Sequence, residues 1–160
     1  MLVIPTIDFQ DYDEADPRAL EALADSVKEA LTAIGFMRIR NLGIEQEQVQ
    51  KMFGVAEWFF SQDLSEKQRS SYAAAGENFG FQEAGIEHLD PNQPADIKET
   101  FTMRDLLRHD PADPRWPNQE FREMATRFYE SCIEGAYRVQ RVCARALSVE
   151  QEFFVDCHRG

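Results

Sequence analysis

No apolar run in this sequence approaches the roughly 20 residues that a membrane-crossing helix needs, so no transmembrane span is expected. The first residues, Met1-Leu2-Val3-Ile4-Pro5, hold neither a basic segment nor a long apolar one, and the expectation is no signal peptide and a cytoplasmic protein. Cysteine is scarce. Three in 160 residues is an odd number, which argues against a disulfide framework. Cys132 and Cys143 fall on one expected helix about 16 Å apart, too far to bridge, and all three cysteines read as small buried hydrophobes. Positive charge is scarce as well, with 17 Lys and Arg against 29 Asp and Glu, a net charge of −12. The acids are spread along the chain: residues 1–80 carry 14 acids and 7 bases, residues 81–160 carry 15 and 10. Such a surface, without a basic stripe, excludes ordinary nucleic-acid binding and is repelled by anionic membranes. Also absent are G-x-S-x-G, a P-loop, C-x-x-C, H-E-x-x-H, internal repeats and low-complexity tracts.

What is present is a run of periodic segments. Ile4 to Phe9 alternates as a short strand, with Pro5 suiting an edge. Asp16-Pro17 is a helix start, a capping side chain followed by proline at the first helical position. Leu20, Leu23, Val27, Leu31 and Ile34 then recur at steps of three and four, and Gly35 supplies a left-handed cap. Phe36 to Arg40 reads as a second strand. A second helix is expected over residues 45–61, with Trp58 and Phe59 widening its apolar face, and a short helical turn over 64–69. Glycines and prolines make 70–94 loop-like, and Ile97 to Met103 reads as a third strand. Pro111, Pro114 and Pro117 exclude a helix until Asn118, a cap for a long helix reaching about Leu147. Its apolar face runs from Phe121 to Ala146. Ser148 and Gln151 have capping-box spacing and are expected to start a last short helix. The fold class is therefore α+β, mainly helical, with about four helices, one of them long, and two or three short strands.

Three stretches, in order, resemble the N-terminal region of the isopenicillin N synthase-like oxygenases, many of which are 2-oxoglutarate- and Fe(II)-dependent dioxygenases. The first is Ile4-Pro5-Thr6-Ile7-Asp8-Phe9 with the helix after it. The second, Gly35-Phe36 through Asn41-Leu42-Gly43-Ile44, is similar to "GFF-x-x-x-NHGI", with Leu42 where most relatives carry histidine. The third, Asn78-Phe79-Gly80-Phe81, Gly85, Glu87 and Asp90 to Asp96-Ile97-Lys98-Glu99-Thr100-Phe101, is similar to "GY…G-x-E…D-x-KE-x-F". The resemblance implies a non-haem dioxygenase N-terminal domain over 1–117, and over 118–160 a long and a short helix leading to a jelly-roll domain that these 160 residues do not include. It also implies that the glycine-bracketed loop and the Lys98–Phe101 segment approach the active-site mouth. Asn78, Phe79, Phe81 and Phe101 are the residues it would place against substrate. The blander reading makes the aromatics core and Lys98–Glu99 a solvated pair.

Enzymes of this family hold Fe(II) with two histidines and a carboxylate, the first two as H-x-D/E, and bind 2-oxoglutarate through a downstream R-x-S. His88-Leu89-Asp90 is an H-x-D by its letters, His158 or His109 would be its distal histidine, and Arg69-Ser70-Ser71 is an R-x-S. The family places H-x-D on a barrel strand, whereas His88 sits in a glycine- and proline-bracketed loop, a long helix follows, and Arg69 comes too early. The match is read as chance and His88 and His109 as loop residues. Cys157-His158, close to the C-terminal end, and the neighbouring acids Glu87 and Asp90 are not read as sites either.

The sequence thus points to the N-terminal portion of an oxygenase acting on a small organic substrate. Alone it is expected to bind neither Fe(II) nor 2-oxoglutarate, both of which belong to the parent enzyme. The alternatives are a non-catalytic binding module derived from this family, and an autonomous metalloenzyme using His88, Asp90 and His158. Without its jelly-roll partner the chain is expected to expose Ile7, Phe9, Trp58, Phe59 and part of the Phe121–Ala146 stripe, and to self-associate.

Overall fold

The computed structural model describes residues 3–74, 78–87, 90 and 92–159. They form two compact units, Met1–Ile44 with Ser131–Gly160, and Glu45–Glu130. The long helix α4 (Gln119–Ala146) contributes its first part to the second unit and the remainder to the first.

The first unit is built on a strand–helix–strand crossover. Strand β1 (Thr6–Asp8) pairs in parallel with β2 (Arg38–Arg40), Ile7 opposite Ile39, and α1 (Pro17–Ala33) connects them. Helix α1 starts where the sequence places its cap: Asp16 accepts a hydrogen bond from the Arg18 backbone N–H at 2.9 Å, and Pro17 follows. It ends at Gly35, whose φ of +83° is left-handed and whose N–H reaches the Ala30 carbonyl. Its apolar stripe of Leu20, Ala24, Val27 and Ala30 is buried with Ile7, Phe9, Val142 and Ala146. Asp8 ties the crossover together through Arg40 at 2.6 Å and Asn41 at 2.7 Å. Both ends of the Asp8–Arg40 pair reach solvent, so it contributes little to stability and more to fixing the crossover's geometry. Helix α5 (Phe153–His158) is anchored by the buried Val155 and by Arg141, which grips Glu152 through two of its nitrogens.

The second unit contains α2 (Gln46–Phe60), the short α3 (Leu64–Lys67) with a 3-10 turn after it, and an antiparallel pair, β3 (Phe79–Gln82) and β4 (Thr100–Met103). The first part of α4 completes it. Asn118 caps α4, its side-chain oxygen accepting from the Phe121 N–H at 2.7 Å. Gln48 on α2 donates to the Arg127 carbonyl on α4 at 2.9 Å. Phe59, Phe81, Phe121 and Ala125 form the core.

The structure departs from the sequence expectations at several places. The stretch read as loop over 70–94 contains β3: Phe79, Gly80 and Phe81 are all buried, so the strand lacks the half-exposed alternation by which strands are recognised. The third strand starts at Thr100 rather than at Ile97, which is 96% exposed. The last helix starts at Phe153, because Ser148 takes a left-handed φ of 57° and cannot open a helix. Ile7, Phe9 and Phe59, expected to lose their cover, are buried within their own units by α1 and by the phenylalanine cluster, while Trp58 stays 41% exposed. Among the described residues there are five α-helices, two of them very short, four strands in two separate pairs, and no closed barrel. No described helix is long and apolar enough to cross a membrane.

Candidate functional site

The residues singled out by sequence converge on the β3–β4 pair of the second unit. Phe101 on β4 stands opposite Phe81 on β3. Its ring meets Phe59, Phe79 and Phe121 with centroids 5.1 to 5.7 Å apart. Phe79 and Phe81 are fully buried, whereas Asn78 and Phe101 are partly accessible. Asn78 turns the chain into β3 with a left-handed φ of 55°, and its carbonyl accepts from the Arg104 N–H.

The charged letters of the third motif separate into two tasks. Gly85, Glu87, Asp96 and Lys98 close the loop between the strands. The Gly85 N–H donates to Asp96 O at 2.9 Å and the Asp96 N–H to Glu87 O at 3.0 Å. Lys98 Nζ bridges the carboxylates of Glu87 and Asp96 at 3.0 Å each, which raises its pKa, the hydrogen bond to Asp96 contributing most. Glu99 faces elsewhere. Both of its carboxylate oxygens lie within 2.7 Å of Nζ of Lys67, which is only 7% exposed. Lys67 also donates to the Phe60 carbonyl at 3.3 Å and sits 5.6 Å from the Phe81 ring centre. A buried ammonium is tolerable only with such a set of acceptors around it. Sequence reasoning misses Lys67, because a lysine in a polar helical turn carries no sign of burial.

A second cluster covers the outer side of Phe79. The His109 ring stacks on it with centroids 3.6 Å apart, and Trp116 meets it edge-on at 4.8 Å. His109 Nε2 lies 3.0 Å from an Asp113 oxygen, but the contact is not aligned as a hydrogen bond. Asp113 is committed to Arg115, which donates to both its oxygens and holds its carboxyl down at about 2. A depressed folded pKa means that stability is present above the unfolded value near 4 and is lost as pH falls through about 2. Chemical denaturation at pH 7, 4 and 2 is therefore expected to show the parent chain losing its advantage over Asp113→Asn between about pH 4 and pH 2. Stability curves that run parallel across that interval would count against this role.

No iron-ligand set assembles among the described residues. His88 lies outside them. Asp90 is spent in a local turn, accepting from the Asn92 N–H at 2.9 Å. His109 and Asp90 belong to the second unit, whereas His158 is an exposed residue of the first, with Nδ1 2.7 Å from the Phe154 carbonyl oxygen. Among the described residues no group of three His, Cys, Asp or Glu side chains is placed to hold a metal. Arg69 of the R-x-S tripeptide pairs with Glu66 at 2.6 Å.

Residues 4–123 match the sequence family described as "non-haem dioxygenase in morphine synthesis N-terminal". Among curated relatives, the 2-oxoglutarate-Fe(II) type oxidoreductase ppzD of Metarhizium rileyi is 24% identical over 168 residues, covering 96% of this chain and 48% of the relative. The 2-oxoglutarate-dependent dioxygenase tropC of Talaromyces stipitatus is 26% identical over 162 residues, covering 91% and 50%. A full-length Neurospora crassa protein, crystallised in complex with alpha-KG, superposes with a TM-score of 0.75 at 22% identity, over 96% of this chain and 50% of that one. At that identity the likeness shows the fold alone. The chain spans about half the length of the curated relatives it matches.

Proposed function

This chain belongs to the non-haem dioxygenase N-terminal family, and on that premise we propose that it is the N-terminal portion of an Fe(II)- and 2-oxoglutarate-dependent oxygenase of a small organic substrate. The observation that carries the reading is the family match over 4–123 combined with a span of about half the relatives' length. In this reading 1–117 is the N-terminal domain and 118–160 leads to a jelly-roll domain supplying iron and co-substrate ligands. The described residues bring no three His, Cys, Asp or Glu side chains together for a metal, and in this reading they carry out no chemical step. Their part is to present the β3–β4 edge: Asn78 and Phe101, the accessible members of the predicted group, face substrate, while Phe79 and Phe81 hold the strand beneath them. The enzyme acts in the cytoplasm, without nucleic-acid or membrane partners.

The test is direct. The isolated chain with Fe(II), 2-oxoglutarate and oxygen is expected to release no succinate, and coding sequence beyond Gly160 is expected to supply H-x-D, a distal histidine and R-x-S in that order. Iron-dependent succinate release abolished by His88→Ala would overturn this reading in favour of an autonomous metalloenzyme. A downstream sequence without those ligands would favour a non-catalytic module.

A further inference from the structure

Helix α2 ends beside a cavity in the second unit. The cavity measures about 240 Å³ and is lined by Trp58 and Phe59 on α2, by Ser70, and by Pro114, Trp116 and Pro117 ahead of α4. All of these residues lie within Glu45–Glu130. Most of the lining is aromatic or proline ring, and Ser70 stands out from it. Ser70 is only 3% exposed, yet its hydroxyl has no hydrogen-bond partner among the described residues. Buried polar groups in folded proteins are nearly always bonded, because leaving one unmade forfeits the bond it had to water. A buried hydroxyl left free on the lining of a cavity is a group kept for something that enters the cavity.

We propose that this cavity binds a neutral, single-ring aromatic molecule carrying a hydroxyl group, with the ring against the indoles and the oxygen bonded to Ser70. Size sets the limit of one ring. An apolar cavity of about 150 Å³ is enough to take benzene, and drug-sized ligands fill roughly 300 Å³ or more. A cavity of about 240 Å³ lies between the two, with room for one ring and small substituents. The lining selects a flat ring, since indole and phenyl faces gain from stacking or edge contact with another aromatic beyond simple burial. Charge selects a neutral one. Glu66 and Arg69, the ionic residues of the lining, are paired with each other at 2.6 Å. A charged ligand would lose hydration there and find its counter-charge already engaged. The Ser70 hydroxyl both donates and accepts, as does a hydroxyl on the ligand, so the pair is complementary in either sense. This inference draws on neither Asn78 nor Phe101 and stands apart from the oxygenase reading.

The experiment uses the 160-residue chain with para-cresol as the probe. Phenols titrate near about 10, so this probe is neutral in neutral buffer. The chain has two tryptophans, Trp58 and Trp116, and both line the cavity, so each indole N–H signal in a nitrogen-resolved NMR spectrum reports on it. Both signals are expected to shift saturably, with a Kd on the order of 1 mM. Ser70→Ala is expected to weaken para-cresol binding about three- to tenfold, the worth of one hydrogen bond. It is expected to leave toluene binding unchanged and the melting temperature no lower, since the deleted hydroxyl has no protein partner. Trp58→Ala, at an exposed position, is expected to weaken both ligands, read from the Trp116 signal. Para-hydroxybenzoate, the same ring with a negative charge, is expected to bind about tenfold more weakly or less well still. Absence of a saturable shift, equal binding of para-hydroxybenzoate, or unchanged para-cresol binding by Ser70→Ala overturns the proposal. So does an equal loss of toluene and para-cresol in Ser70→Ala, which would mean a reshaped cavity rather than a lost hydrogen bond. Each of these failures leaves the oxygenase reading standing, since that reading is tested by succinate release and by the downstream ligands.

Discussion

Gly80→Ala is expected to be strongly destabilising for so small a change as one added methyl. Gly80 has a φ of +121°, a backbone region that side chains other than glycine's rarely adopt. Its missing Cβ would fall 2.5 Å from the Ser70 carbonyl oxygen and 3.3 Å from both the Ser71 carbonyl carbon and the Tyr72 ring. None of these can retreat cheaply. Ser70 is buried, and the Tyr72 N–H is bonded to Phe81 O at 3.3 Å. Strand β3 is held on its other side by β4, with Gly80 opposite Thr102. Backbone strain of about 1–3 kcal/mol and a steric cost of similar size add up to roughly 2–6 kcal/mol. That is a large share of a typical domain's net stability. Thermal melts followed by circular dichroism are expected to show a much lower midpoint or no cooperative transition. The matched control is Gly54→Ala, the same added methyl in open space, expected to stabilise by about 1 kcal/mol. Equal effects of the two substitutions would contradict the close approach at Gly80.

The second large effect is expected at Lys67. Lys67→Met removes the cation but leaves the Glu99 carboxylate, whose side chain is 30% exposed, without its partner among the phenylalanines. Breaking a buried pair from one side costs about 3–5 kcal/mol, and Glu99's partial access to water places the expectation at the lower end. Lys67→Met combined with Glu99→Gln is expected to be less damaging than the sum of the two single changes, because no stranded charge remains. Urea denaturation of the four proteins measures this coupling, and strict additivity would show that the pair does not hold β4 in place.

How much of this is legible in the sequence varies with the range of the interaction. The Asp16-Pro17 start, the Gly35 stop and the Asn118 cap are read correctly because each is settled by atoms within a few residues. Strand β3 escapes such a reading because Asn78 and Gly80 carry a loop's composition, and what makes the segment a strand is pairing with residues about twenty positions away. The third motif sets Lys98 and Glu99 side by side, but the letters do not say that these two neighbours serve different partners. Ser148 fits a capping pattern yet adopts a left-handed conformation, a case of pattern without the backbone to match. Phe79 and Phe81 show the same limit. Resemblance places them near a substrate, while their burial is set by Phe59, His109 and Trp116 from distant parts of the chain.

The chain path through the two units carries a consequence for the order in which they are made. Glu45–Glu130 is continuous, whereas the core containing Ile7, Phe9, Leu20 and Val27 also needs Val142 and Ala146. During synthesis from the N-terminus, α1 and its strands emerge first but wait for the final turns of α4 before their apolar stripe is covered, while the phenylalanine core already holds all of its members once Ala125 has emerged. The segment translated before Glu45–Glu130 is therefore sealed after it. A ribosome pausing near Glu130 would display the α1 stripe of Leu20, Ala24, Val27 and Ala30 to whatever chaperones attend the nascent chain.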